Sequence, residues 1–335
     1  MQDREAIIPK KRTAIVDGII LLLFGAALFW NREFFRNVFV LLGETDWRVL
    51  AAAAGLSVLY LMLDSYICYR ICRMHNKSLR YRDSLEVTYI TCFFRLLTFG
   101  SGGMPAKVYC YHKKGIKAGD ATGAWLIQYL FYKLAVMAFA AVLVLRTPEL
   151  LFHSGIRPAV LISGTGIALV VVFVLASVAV NEKMTEFLYR KTAGWTGKNE
   201  KIKVRVEKVF YQIRLLQKEA RYVLKKIPFS LEILAVNLLL VMAYSLIPAL
   251  VVSENGAVPL GYSFQVMGVT NFLAGAIPLP SGYGSVELIF YGMLKQYSVE
   301  LKAAGALVIL RLFTVIIPCF IGGVLWILQK RRNKT

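Results

Sequence analysis

Histidine and cysteine are scarce in this 335-residue chain, with three and five residues, and the 20 Asp+Glu are outnumbered by 40 Lys+Arg. His75, His112 and His153 stand in loops or at segment ends, so the sequence offers no triad and no histidine-based metal set. No HExxH pair and no glycine-rich phosphate loop occurs. Cys68, Cys72, Cys92, Cys110 and Cys319 all lie within or beside apolar segments. Cys68 and Cys72 are one helical turn apart, but no second Cys or His pair accompanies them. They read as small buried hydrophobes, and neither zinc nor disulfides are expected. We therefore expect no catalytic residue, no metal and no cofactor. Charged residues make up only 18%, against about 25% in soluble domains, which excludes an ordinary soluble enzyme. A cleavable leader is not expected either, because residues 14–30 lack a small-residue cleavage site and end in Trp30-Asn31-Arg32.

What the chain does have is apolar length. Hydrophobic residues make up 57%, and the mean hydropathy is +0.58. Runs at about 14–30, 49–68, 120–145, 158–180, 229–252 and 303–328 approach the ~20 residues that cross a bilayer core. Two further stretches do not fit one span. Residues 84–116 are broken by Gly100-Ser101-Gly102-Gly103-Met104-Pro105, and residues 263–297 by Pro278-Leu279-Pro280-Ser281-Gly282-Tyr283-Gly284.

Basic residues decide how these stretches run. They concentrate at the N-terminus, in 69–83, in 107–117, in 181–228 and in the tail. The positive-inside rule puts all five on the cytoplasmic side only if 84–116 enters and leaves from within, and 263–297 from without. The count is then 30 Lys+Arg inside, seven outside and three within the membrane, out of 40. Both termini are cytoplasmic in this arrangement, expected for a bacterial inner membrane. The fold expected is all-α and polytopic, a single transmembrane domain over 1–335 with about six spans and two re-entrant hairpins. Residues 49–145 and 229–328 then form an inverted repeat, a transporter architecture whose broken helices meet near the midplane. Two Pro/Gly-kinked helices in a plain bundle are the simpler alternative.

In the 181–228 loop, Ile202, Val206, Val209, Ile213 and Leu216 recur at helical spacing among Lys and Arg. This suits an amphipathic helix on anionic headgroups, or equally a solvated connector. The basic excess needs no nucleic acid.

Arg95, Lys133, Glu287 and Arg311 sit inside apolar sequence, where a charge costs about 2.5–3.5 kcal/mol on insertion scales and usually faces a cavity or a partner. At 1.5 Å per residue, Arg95 lies about 11 residues up its limb, Lys133 about 13 into its span and Arg311 about 8 from the outer face. All reach the middle third of the bilayer, as does Glu287 just past the second tip. Gly102-Gly103-Met104-Pro105 and Gly282-Tyr283-Gly284-Ser285 each precede a helix start, where amide N–H groups and the positive dipole end favour an anion. An internal Glu287–Arg311 pair is the competing, purely structural reading. Asp64 is expected to pair with a loop base or to meet a substrate amine. Asp17 and Glu232 read as interfacial.

The segment Gly102-Gly103-Met104-Pro105-Ala106-Lys107-Val108-Tyr109, with Lys114-Gly115-Ile116, and the segment Pro280-Ser281-Gly282-Tyr283-Gly284-Ser285-Val286-Glu287 resemble the paired motifs of the lysylphosphatidylglycerol synthetase transmembrane family. That family is the flippase-like part of the multiple peptide resistance factor. Arg311 falls where its last helix commonly has Arg. Three positions depart: Val286 stands where many members carry Arg, and Gln128-Tyr129 where others have Glu-Arg. The resemblance implies lipid translocation past a site that includes Arg95, Gly102, Gly103, Pro105, Lys107, Lys133, Gly282, Gly284, Ser285, Glu287 and Arg311. It implies a phospholipid or polyprenyl-phosphate as the partner molecule. The family name also implies lysyl transfer to phosphatidylglycerol and resistance to cationic peptides; the transfer step would call for a separate transferase chain. A non-transporting scaffold built on the basic loop is a third reading.

The topology makes a labelling prediction. Cysteines introduced beside Lys77 and beside Lys114 should react from the same, cytoplasmic face, and those beside Val258 and Val299 from the outer face. Opposite-face labelling within either pair would refute the re-entrant arrangement.

Overall fold

A computed structural model describes residues 43–98, 100–148, 181–196, 200–275 and 285–332, with Val40 and some positions between 165 and 179. The first expected span, Asp17, most of the fourth span, and the second tip with Gly282 and Gly284 lie outside the described residues. The described elements are all helical. They run α1 (Trp47–Cys72), α2 (Tyr81–Leu97), α3 (Gly103–Lys113), α4 (Ala118–Arg146), α5 (Glu182–Thr196), α6 (Glu200–Leu224), α7 (Ile227–Val252), α8 (Leu260–Ala274), α9 (Ser285–Leu294), α10 (Glu300–Arg311) and α11 (Ile317–Arg332). A π-helical turn, Leu312–Ile316, joins the last two without a break.

Among the described residues, four helical stretches are long and apolar enough to cross a membrane: α1, α4, α7 and the continuous Lys302–Arg331. The chain is an all-α polytopic membrane protein. The element order recurs: a long helix, two short helices, then a long helix, first as α1 to α4 and again as α7 to α11. Packing is reciprocal across this division. α1 lies on α7, α2 lies on α11, and α8 lies on α4.

Each short pair closes on itself. The Asn76 amide before α2 donates to the Lys114 carbonyl after α3 at 2.9 Å, and the Lys114 ammonium reaches Asp83 at 3.0 Å and Glu86 at 2.9 Å. Both ends of the α2–α3 hairpin therefore meet at one end of the bundle. The α8–α9 hairpin closes through Tyr262 against Tyr297, with ring centroids 5.2 Å apart. Its neighbourhood is the other end, where Glu254 accepts from the Asp46 backbone at 2.7 Å and Lys302 donates to the Glu254 carbonyl at 3.0 Å. α1 and α7 run antiparallel between these ends. Arg70 near the end of α1 grips Glu232 near the start of α7 at 2.6 and 2.5 Å, and the Tyr66 hydroxyl donates to the same carboxylate at 2.7 Å.

Lipid tails are as apolar as leucine, so helices here associate through close packing of small residues. At Gly322 of α11 an added Cβ would lie 1.9 Å from the Tyr89 carbonyl oxygen of α2, so the two backbones touch there. Gly268 of α8 is covered by Leu143 and Phe139 of α4 in the same way.

The 181–228 loop forms two helices, and α6 packs on α4. Among its described residues Phe210, Leu216, Gln217, Glu219, Ala220 and Val223 are buried; of the expected apolar stripe, Leu216 is buried, Val206 and Ile213 half-buried and Val209 exposed. Gln217 donates to Thr185 of α5 at 2.8 Å, and Glu219 lies against Gly123 of α4.

Gly322→Ala should lower stability by about 1–3 kcal/mol, seen as an earlier thermal transition in detergent. Gly55→Ala, where nothing lies within 4 Å, should not. Equal behaviour of the two variants would refute the close contact.

Candidate functional site

The α2–α3 turn is built by glycine. Gly100 takes a φ of 102°, open to glycine, and an added Cβ at Gly102 would fall 2.5 Å from Thr98 Oγ1. The Gly102 N–H donates to that hydroxyl at 2.6 Å, and the Gly100 N–H to the Arg95 carbonyl at 2.7 Å. Gly102 therefore spends its donor on the turn. Pro105 has none to offer and suits the first turn of α3. Of the tip residues expected to meet an anion, Gly103 and Met104 carry the remaining first-turn N–H groups. Gly103 packs against the Arg95 stem, an added Cβ lying 3.4 Å from Arg95 Cβ.

The turn directs Lys107 inward. Lys107 is 6% exposed. Its ammonium lies 3.0 Å from the Cys68 sulfur, 3.2 Å from Gln128 Oε1 and 3.8 Å from Asp64 Oδ2. Gln128 Nε2 donates to the other oxygen of Asp64 at 2.7 Å. α1, α3 and α4 each contribute to this polar cluster, in which Lys107 is buried and Asp64 a quarter exposed. Lys107 thus leaves the count of loop bases and joins the interior, and Asp64 pairs with it instead of with a loop base. Burying one such charge unpaired costs several kcal/mol, so both signs come in together.

Arg95 borders the same interior. Cys92 lies within electrostatic range of Arg95, Asp64 and Lys107, and Tyr60 within range of Arg95, Asp64, Tyr132 and Tyr244. The rings of Tyr60 and Tyr244 are 5.4 Å apart, so α7 completes the wall. Beside Tyr60 and Asp64 on α1, Leu59 and Leu63 line an apolar groove of about 470 Å³ shared with Leu239 and Met242 of α7 and Phe264 of α8.

The remaining ionisable residues take other positions. Lys133 places its ammonium 5.4 Å above the Tyr129 ring. It also lies where a Cβ on Gly275 would be only 2.8 Å away, against the carbonyl end of α8. A cation is favoured there by the negative dipole end of a helix. Arg311 donates to Glu287 at 3.2 Å, the internal pair weighed from sequence. Ser285 is buried at the start of α9.

Sequence reasoning had missed three participants. Cys68 read as inert but accepts a hydrogen bond from Lys107, and Gln128 stood out only as a departure from a motif. His75, expected to be isolated, lies between Glu219 and Asp120 at the end of the bundle where the α2–α3 hairpin closes.

A helical membrane protein with short paired helices, and with charges of both signs enclosed between its long ones, is the class that this geometry defines. The chain matches the lysylphosphatidylglycerol synthase TM region over residues 14–322 and belongs to that family. The family gives it a role tied to membrane lipids. No curated protein is matched.

The enclosed pair makes a folding prediction. Lys107→Met strands the Asp64 carboxylate and should cost about 3–5 kcal/mol, read as lost folded yield by size exclusion. Asp64→Asn combined with Lys107→Met should recover most of it. A double variant no better than the single would show that the pair is not what the fold depends on.

Proposed function

We propose that this chain is a lipid flippase, carrying a phosphate-bearing headgroup across the membrane through the interior bounded by α1, α3, α4 and α7. The observation that supports this most is the buried Lys107 meeting Asp64, which is a quarter exposed, with the half-buried Arg95 bordering the same cluster. Two cations suit a phosphate, and one carboxylate suits an amine. A phospholipid whose headgroup carries both, as an aminoacyl phospholipid does, fits this pattern best. A polyprenyl-phosphate uses only the cationic half. The adjoining groove of leucines and Phe264 suits an acyl chain, which stays in hydrocarbon while the headgroup passes inside.

The hairpins supply the route. Non-helical backbone at membrane depth is tolerated where protein buries it or water reaches it, and reciprocal packing of α2 on α11 and α8 on α4 supports the reading of two inverted repeats. The end that carries Lys114 and α6 is cytoplasmic by its excess of Lys and Arg, in a bacterial inner membrane with both termini inside. Anionic headgroups are the natural neighbours of α6.

The test is leaflet exchange in proteoliposomes holding a fluorescent anionic phospholipid. The wild-type protein should accelerate exchange. Asp64→Asn with Lys107→Gln should fold yet slow exchange about tenfold or more, equivalent to about 1.4 kcal/mol of barrier. Gly103→Leu, which blocks close approach at the tip, should also slow it. Unchanged exchange in the folded double variant would refute the proposed route. Formation of lysylphosphatidylglycerol from charged lysyl-tRNA by the purified chain would favour the transferase reading instead.

A further inference from the structure

His75 follows α1 by three residues. Its backbone N–H donates to the Cys72 carbonyl at 3.0 Å, and the neighbouring Asn76 is tied to the end of α3. The imidazole is thus held at the junction of the helices that enclose the interior. One ring nitrogen, Nε2, meets Glu219 Oε2 of α6 at 3.0 Å, and the other, Nδ1, faces Asp120 Oδ2 in the first turn of α4 at 3.9 Å. The three side chains are only 18%, 2% and 17% exposed for His75, Glu219 and Asp120. Gly123 of α4 admits this packing, since a Cβ there would lie 2.4 Å from Glu219 Cγ.

The charged and titratable groups around the ring come from each neighbouring element. Glu219 and Lys218 come from α6. Asp120 comes from α4, with Lys117 just before it acting on Asp120, and Cys72 comes from α1 and faces Glu219. Lys218 binds the second oxygen of Asp120 at 2.6 Å. With His75 protonated, two cations balance two carboxylates, and both ring nitrogens have a proton to donate. With His75 neutral, one nitrogen presents a lone pair to a carboxylate, and the enclosed Glu219 faces a ring without charge. A buried carboxylate in that state favours exposure. The carboxylates address different ring nitrogens, an arrangement made for an imidazolium and poorly suited to one metal ion bound through the ring.

We propose that His75, held between Glu219 and Asp120, is a proton-operated latch that fastens α6 to the helices enclosing the polar interior and releases it when the proton is lost. The hydrogen bond with Glu219 outweighs burial and raises the His75 pKa above its ordinary value near 6.5. A raised histidine contributes its stabilisation fully below the unperturbed pKa and loses it as pH climbs through the raised one. The latch is closed under mildly acidic conditions and opens on the alkaline side. Each unit by which docking raises the pKa changes the docking equilibrium tenfold between the two limits.

The chain holds three histidines, so histidine-selective ¹³C NMR in nanodiscs resolves the group, with His75→Gln supplying the assignment. His75 should titrate above about 6.5, and Glu219→Gln should move its midpoint down. In parallel, tryptic cleavage within α6 should be slower in wild type than in His75→Gln near about pH 6, and the two rates should converge near about pH 9. Should Glu219→Gln fail to fold, Asp120→Asn, which keeps the Glu219 contact, must lower the midpoint too. A midpoint at or below the ordinary value, α6 protection that ignores pH in wild type, or protection conferred by added Zn²⁺ would each overturn the latch.

Discussion

A lysine ammonium with almost no solvent exposure, inside a protein that itself sits in hydrocarbon, constrains everything around it. Lys107 can be charged there only because Asp64, Gln128 and Cys68 come to it from two other helices. Those partners are brought within reach by a turn that needs glycine at 100 and 102 and by a helix too short to cross the membrane. The hairpin, the position of α1 beside α4 and the orientation of the amide at Gln128 are one solution to one electrostatic demand. The same demand explains Arg311 with Glu287, which joins the consecutive helices α9 and α10 inside apolar sequence. Arg70 with Glu232, each about a third exposed, ties the end of α1 to the start of α7 where water reaches.

Glycine performs the complementary task. Without a hydrophobic force between helices in lipid, the bundle gains cohesion where backbones approach, as Gly322 does at Tyr89 and Gly268 beneath Phe139. These contacts join the first limb of each hairpin to the last long helix of the other half. The two sets of helices are thus packed against each other at both hairpins.

Much of this was legible in the sequence, for definite reasons. Long apolar runs mark α1, α4, α7 and the final helix to within a few residues, and the Gly/Pro interruptions mark the first hairpin. Arg95, Glu287 and Arg311 announce themselves as charges in apolar surroundings. Lys107 is different. It sits next to Lys113 and Lys114 in what reads as a loop, and only the reversal at Gly102 turns it inward. Asp64 was visible, but its partner lies 43 positions away on a helix whose direction depends on that reversal. His75 and Glu219 are 144 positions apart; nothing in local pattern or charge links them.

The wide turn at Leu312–Ile316 directly follows Arg311. A π turn holds one residue more than the α-helical ladder uses, and one residue corresponds to about 100° of rotation. The last helix therefore carries its own adjustable phase. Arg311, paired with Glu287 of α9, is set by the helix before the turn, and the Gly322 contact with α2 by the helix after it. A residue gained or lost at that turn would rotate the Arg311–Glu287 pair against the Gly322 contact without breaking either helix.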